Sequence, residues 1–195
     1  MAFCHLVRAL DDPHDHRVAV QAPNCAALGD PGTPVQAVIK GILLETNGDY
    51  TDLFRVAYRD RPFNQWREEC ADLPTYSFRL AVETRNRLRA LVERLLRRNG
   101  LSHDDVACYI SQNLSTSLRN HEEILGAPLA KPCHDNLARY GHLGPNDVFL
   151  NLYSVLDQGH LRPGEHAVLL AVSPAAAWSA LLIETGPHNE EHHLL

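Results

Sequence analysis

The elements of the fold follow one another most clearly in NLARYGHLGPNDVFLNLYSVLDQGHLRPGEHAVLLAVSPAAAWSALLIE, residues 136–184. An apolar helical segment near Asp147–Asp157 leads into the turn GHLRPGE, residues 159–165. Two apolar runs follow, HAVLLAVS and AWSALLIET, and the short sequence PAAA joins them. Their length and apolar character are typical of buried strands. This stretch therefore predicts a helix, a turn and two strands that are adjacent along the chain.

Upstream segments alternate in the same way. HRVAVQA, TPVQAVIKGILLET and DVACYIS have β-branched or alternating apolar residues and predict strands, whereas residues 47–74 have no clear period and predict a long excursion. STSLRNHEEILG, residues 115–126, predicts a short helix that Ser115 would cap. Helices that alternate with apolar strands favour one layered α/β domain.

A long helix is the clearest single element, and it is predicted over residues 75–98. Asn99 and Gly100 provide the signal that ends it. Apolar residues expected to share its buried face recur at helical spacing: Leu80, Leu88, Leu91, Val92, Leu95 and Leu96. Trp178 is expected to pack in or beside the closing strand.

Length and composition fit one soluble domain, expected over residues 1–187 and followed by a polar tail over residues 188–195. The net charge of −6 does not favour nucleic acid or an anionic membrane surface as a partner. No apolar run reaches the roughly 20 residues that a membrane span requires, and no signal peptide is recognised. Five scattered cysteines favour reduced thiols and a cytoplasmic location.

Twelve histidines raise the question of a metal site. Five of them lie in two clusters, DDPHDHR, residues 11–17, and the tail GPHNEEHHLL, residues 186–195. Neither cluster has the spacing of a helical zinc motif, and no CxxC accompanies them. The sequence therefore predicts no metal and no other cofactor.

Several marks in order resemble the C-terminal half of the thiolase superfamily, specifically β-ketoacyl-acyl-carrier-protein synthase III. They are Arg139-Tyr140-Gly141, the run from Gly159 to Glu165, and Trp178 before a closing apolar strand. In that family the corresponding marks are RxGNTSAAS, a G-x-(I/L)-(K/R)-P-G-(D/E) turn and TWGAALV. Upstream, VQAPNCAAL and LLETNGDYTDL are similar to FGDGAGAAVL and HADGSYGEL of the family.

The resemblance implies half of a thiolase-like fold, namely a mixed five-stranded sheet with helices on both faces. In the family this half packs against a second, similar half. A helical face would otherwise remain uncovered, which predicts that the chain is not a monomer. The partner implied is an N-terminal half, a full-length synthase homologue or a second copy of the chain, and the substrates implied are acyl groups on CoA or acyl carrier protein.

The resemblance also locates candidate catalytic residues. The family's cysteine belongs to the other half, its histidine in PHQAN aligns with Ser111, and its asparagine in GNTS aligns with His142. Ser111 cannot replace histidine in proton transfer near neutral pH, because a hydroxyl has no suitable pKa. Ser111 and His142 are expected to lie close together, either as a Ser–His catalytic pair or as a helix start beside a filled pocket.

Further residues complete the expected site. Gln112, Asn113 and Ser173 are candidate substrate-binding residues, since they follow strands whose ends carry the family's site. Pro174 falls near the glycine whose amide serves the oxyanion hole, and proline has no N–H to donate.

Four other features favour structural roles. Cys133 and His134 would point to opposite faces of an extended chain. Cys108 is expected to be a small buried residue and His121 to be exposed. The arginines of RNRLRALVERLLRR, residues 85–98, predict a solvated helix face or a docking surface for an acidic carrier protein.

Two hypotheses follow. The first is a subunit of a ketosynthase III-like acyltransferase, which needs a partner that supplies the cysteine half. The second is a non-catalytic, degenerate half that stabilises or shapes the pocket of an active synthase.

Overall fold

A computed structural model describes residues 17–20, 27–28, 35–50, 53–57, 62–65 and 67–188. The strands are β1 (Arg17–Val20), β2 (Ala27–Leu28), β3 (Val35–Thr46), β4 (Phe54–Ala57), β5 (Arg67–Cys70), β6 (Val106–Ile110), β7 (His166–Ser173) and β8 (Ala177–His188). The helices are α1 (Leu73–Arg98), α2 (Ser115–Leu125), α3 (Lys131–Tyr140) and α4 (Asp147–Asp157). Short 3-10 turns lie at Gly48–Tyr50, Phe63–Gln65, His103–Asp105 and Gly144–Asn146.

The main sheet has the strand order β1-β3-β8-β7-β6, and β2 joins it by pairing with β3. β6 and β7 are parallel, whereas the other neighbouring pairs are antiparallel. The four consecutive residues 167–170 of β7 are all buried, as expected of a strand that is covered on both faces. Helix α1 contacts β3 and β8, and α4 contacts β6 and β7. The predicted α/β class, with a mixed sheet whose main path has five strands and with helices on both faces, is confirmed.

The buried face of α1 confirms most of the helical pattern. Asp72 caps the helix by accepting the Thr75 N–H at 3.1 Å, and Asn99 follows its last residue. Five of the six predicted apolar residues are buried, and the sixth, Leu80, is partly buried against the same core. Trp178 of β8 is fully buried, and its indole N–H donates to Thr84 Oγ1 of α1 at 2.8 Å.

A buried carboxylate also joins β3 to α1. Glu45 is 5 % exposed and accepts hydrogen bonds from Arg94 at 2.6 Å and Arg87 at 3.3 Å. The Arg87 guanidinium also lies 5.0 Å from the centre of the Trp178 ring. Close approach of the two elements is possible at Gly41, where a Cβ would meet Leu95 Cδ1 at 3.0 Å.

Several sequence predictions need correction. Ser115 does not cap α2, because Leu114 occupies the cap position and its side chain makes no capping hydrogen bond. Residues 131–140 form α3, so Cys133 and His134 lie on a helix instead of the extended chain that was expected. The excursion over residues 47–74 contains the antiparallel pair of β4 and β5.

Two predicted features extend outside the described residues. The first is the tail, of which only His188 is described. The second is the first histidine cluster, of which only Arg17 is described. The domain bounds stay a prediction. Within the described part of the chain, none of the helices combines the length and the apolar character that crossing a membrane demands.

Candidate functional site

Polar residues follow β6 at its carboxyl end. Since β6 and β7 are parallel, their carboxyl ends meet at one edge of the sheet, where open α/β sheets place their sites. Gln112 joins the two strands, because its Oε1 accepts the Val172 N–H at 2.7 Å. The Gln112 side chain is therefore held by the fold at the edge of the expected pocket.

The Ser111 side chain is closed off from solvent. Its Oγ lies 2.6 Å from Nδ1 of His121 on α2, and both residues are buried. Burial lowers the pKa of His121 to about 4, so the imidazole is neutral near pH 7. The prediction that His121 is exposed is wrong. Leu118, His121 and Leu125 recur at helical spacing on α2, and this spacing is the signal that could have indicated a shared face.

The His142 side chain pairs with a buried carboxylate. Its Nδ1 lies 2.5 Å from Oδ2 of Asp147, whose side chain is fully buried, whereas 45 % of the His142 side chain is exposed. The Asp147 carboxylate also accepts two backbone hydrogen bonds, from the Asn113 N–H at 2.9 Å and from the Leu143 N–H at 2.7 Å. A carboxylate that accepts the Nδ1 proton orients the imidazole and leaves Nε2 to exchange a proton.

A chain of amides extends from this pair into the core. Asn113 Nδ2 donates to the Gly141 carbonyl at 3.2 Å, and Asn113 Oδ1 accepts from Asn151 Nδ2 at 2.8 Å. Asn151 also donates to the Ser111 carbonyl at 2.7 Å and accepts from Asn136 Nδ2 at 2.9 Å. The nitrogen and the oxygen of the Asn113 side-chain amide thus both make internal hydrogen bonds.

The turn between β7 and β8 contains the remaining predicted positions. Ser173 is half-buried, and its Oγ accepts the Ala175 N–H at 3.1 Å. Pro174 is exposed, and its carbonyl accepts the hydroxyl of Tyr76 on α1. Ala176 adopts a left-handed conformation with φ of 53°.

The described cysteines near the site have unreactive surroundings. Burial raises the pKa of the Cys133 thiol to about 11 and that of the Cys108 thiol to about 12. The thiolate is the nucleophilic form of cysteine, and both thiols therefore carry very little of it near pH 7. The expectation that Cys108 is a small buried residue fits its partial burial against the core.

A groove of about 640 Å³ lies between α1 and α2. Its lining includes His121, Leu80, Val82, Ile124 and Val172. Two of its lining residues, Phe78 and Val82, are exposed to solvent, with relative accessibilities of 71 % and 46 %. The groove therefore adjoins the Ser111–His121 pair, and His142 is absent from its lining.

The two predicted catalytic residues thus make their hydrogen bonds with other partners. Ser111 contacts His121, His142 contacts Asp147, and the described hydrogen bonds include none between Ser111 and His142. Sequence reasoning missed Asp147 and Asn151. The available signal was that these two polar residues lie one turn apart on a helix whose neighbouring positions are apolar. Those neighbours are Val148, Leu152 and Val155.

Comparison with known proteins relates one segment of the chain to a known family. A sequence profile described as 3-oxoacyl-(acyl-carrier-protein) synthase III, C terminal, matches residues 96–185, the segment that contains both pairs. This segment is therefore similar to the C-terminal part of a synthase III. No curated protein sequence matches the chain.

Several solved structures share the fold of this chain. FabH from Pseudomonas aeruginosa PAO1, a 3-oxoacyl-(acyl carrier protein) synthase III, superimposes with a TM-score of 0.59 at 19% identity, over 82% of this chain and 47% of that one. The 3-oxoacyl-(acyl-carrier-protein) synthase III from Aquifex aeolicus VF5 superimposes with a TM-score of 0.60 at 14% identity, over 78% of this chain and 46% of that one. ChlB3, described as an acyltransferase, superimposes with a TM-score of 0.58 at 17% identity, over 79% of this chain and 48% of that one. The chain spans about half the length of these structures.

Proposed function

We propose that this synthase III-like half takes part in acyl transfer from CoA or acyl carrier protein, together with a half that supplies the nucleophilic cysteine. The cysteine half lies on a partner, either an N-terminal-type half or a full-length homologue. The observation that carries the proposal is the His142–Asp147 pair: an exposed imidazole is oriented by a fully buried carboxylate. Such a pair is suited to moving a proton.

The reaction would proceed in two transfers. His142 Nε2 accepts the thiol proton of the partner's cysteine, the thiolate attacks the acyl thioester, and CoA or the carrier thiol leaves with the proton from His142. In the second transfer an acceptor nucleophile gives its proton to His142 and takes the acyl group, which releases the cysteine thiol. Each transfer leaves His142 ready for the next one.

The two described thiols near the site, Cys108 and Cys133, are poorly suited to act as the nucleophile, which favours an external cysteine. The raised pKa values of Cys108 and Cys133 leave both thiols protonated near neutral pH, and Cys133 is fully buried. Apolar surface that a second half would cover is present on α1, where Leu73, Phe78 and Val82 are exposed.

The test uses the chain with the products of neighbouring genes. The complex is isolated by co-purification, incubated with an acyl-CoA and analysed by mass spectrometry for an acyl adduct on a cysteine. We expect the adduct on the partner and its loss when an acceptor is added. A partner without a reactive cysteine, or an adduct that forms equally fast without this chain, would refute the proposal.

A second candidate is a non-catalytic half that shapes the pocket of an active synthase. It is favoured by Ser111, which aligns with the family's histidine yet is fully buried against His121. In that case an active synthase bound to the chain would keep its rate when His142 is replaced.

A further inference from the structure

Asn151 lies at the centre of the buried amides that adjoin the His142–Asp147 pair. It is fully buried on α4 and uses both amide hydrogens, one for the Ser111 carbonyl at 2.7 Å and one for Asn113 Oδ1 at 2.8 Å. Its own oxygen accepts from Asn136 at 2.9 Å. Because a backbone carbonyl can only accept a hydrogen bond, the NH₂ group of Asn151 must face Ser111. The orientation of this amide is therefore fixed by chemistry.

Asn151 and Asp147 hold the same residue from one face of α4. They are four positions apart and so lie one turn from each other. Asp147 Oδ2 accepts the backbone N–H of Asn113, whereas Asn151 binds the side-chain oxygen of Asn113. Asn113 is thus fixed through both its backbone and its side chain.

The carboxylate depends on this arrangement for its own position. Asp147 Oδ2 receives the Asn113 N–H at 2.9 Å as well as the His142 imidazole at 2.5 Å. A shift of Asn113 would remove one donor from the oxygen that orients His142. A buried carboxylate with a missing donor is destabilised and would turn towards another one.

The residue type at position 151 is unusual for its surroundings. The other inward positions of α4 include Val148, Leu152 and Val155, which are apolar and buried. A buried amide is costly unless its hydrogen bonds are made, so an aliphatic residue would serve the core at least as well. The presence of an amide at position 151 therefore indicates that residues 111–113 must be held in a defined position.

We propose that Asn151 is a positioning residue for the His142–Asp147 pair. It fixes Ser111 and Asn113, the Asn113 N–H fixes the Asp147 carboxylate, and the carboxylate holds His142 with the proton on Nδ1. The use of the pair in acyl transfer rests on the proposed function. The positioning role of Asn151 does not rest on the proposed function, since it concerns contacts within the chain alone.

The test measures the tautomer of His142 by ¹⁵N NMR of histidine-labelled protein, with the signal assigned by its loss in His142→Ala. The spectrum is recorded well above the ordinary histidine pKa of about 6.5. In the unsubstituted chain we expect the Nδ1–H form. Asn151→Leu keeps the size of the side chain and removes both donors, so we expect loss of this signal in favour of mixed tautomers.

Asn136→Leu is the matched control. It removes a buried amide from the same network but leaves the hydrogen bonds of Asn151 to Ser111 and Asn113 in place. We expect it to lower the unfolding temperature and to keep the Nδ1–H form. An unchanged His142 spectrum in folded Asn151→Leu, or an equal change in both variants, would overturn the proposal.

A third variant protects the test against misfolding. If Asn151→Leu does not fold, Asn113→Ala removes the same hydrogen bond from its other end and should also abolish the Nδ1–H form. A folded Asn113→Ala protein with an unchanged spectrum would equally overturn the proposal. The readout needs no partner, so its failure is distinct from a failure of the acyl-transfer assay.

Discussion

Ser111 and His121 form a buried pair in which the serine Oγ lies 2.6 Å from Nδ1 of the imidazole. A hydroxyl that faces an uncharged ring inside the protein forms a structural contact between the residue after β6 and α2. Burial also lowers the pKa of His121 to about 4, well below the ordinary value of about 6.5.

The first prediction concerns acid stability. The unfolded chain binds the His121 proton more readily than the folded chain, so the stability due to neutral His121 is fully present above pH 6.5. It should be lost as the pH falls from 6.5 towards 4, by up to about 3 kcal/mol. Urea unfolding at several pH values in this window measures the loss.

His121→Asn should be less stable at neutral pH and should depend less on pH between 4 and 6.5. His160→Gln, at an exposed position, is the matched control and should keep the dependence of the unsubstituted chain. An identical pH dependence in His121→Asn would contradict the assignment.

The fold could be predicted where local pattern and packing agree. Helix α1 has apolar residues at helical spacing over its second half; these residues are buried in the core, and the helix contacts β3 and β8. Helix α3 was missed because few apolar residues recur in it. The proline in its first turn, Pro132, was the available start signal.

The site could be predicted only in part, because its hydrogen bonds join residues that are distant in sequence. Ser111 and His142 were identified from an aligned motif, whereas their partners His121 and Asp147 were not. The Asp147 carboxylate is completed by backbone N–H groups of residues 113 and 143, and no residue-type pattern records such donors. Their arrangement follows from how α4 packs against the end of β6.

The second prediction concerns the core. Leu91 is fully buried on α1, so Leu91→Ala should lower the free energy of unfolding by about 2–5 kcal/mol, through lost burial and the cavity that remains. Val82→Ala on the same helix is the control, because Val82 is 46 % exposed and its truncation should cost much less. Chemical denaturation measures both, and equal stabilities would mean that the buried face is wrongly assigned.

The third prediction concerns assembly. Phe78 and Val82 are exposed in the lining of the groove between α1 and α2, and Leu73 is exposed at the start of α1. We expect the isolated chain to self-associate or to bind a hydrophobic dye, since apolar side chains exposed together favour association. Phe78→Ser with Val82→Ser should reduce both effects. Sedimentation that shows a stable 21.8 kDa monomer without dye binding would contradict this prediction.

The last prediction separates an active half from a structural one. In the complex with a cysteine-bearing partner, His142→Ala should lower the rate of acyl transfer about 10²–10⁴-fold, the usual contribution of a general base. Asp147→Asn should also lower it, because the orienting carboxylate is lost. Partner binding, followed by co-purification, should survive both changes.

Two further variants show which residues the rate depends on. His134→Ala alters an exposed histidine of α3 that contacts Glu122, so it should keep the rate and controls for histidine loss in general. Ser111→Ala removes a hydroxyl buried against His121 and should change the rate by a few fold at most, since no substrate can reach it in this conformation. A large loss in Ser111→Ala with little effect of His142→Ala would instead favour Ser111 and His121 as the acting pair. Little effect of either change in an active complex would mean that the chain supports its partner without supplying a catalytic residue.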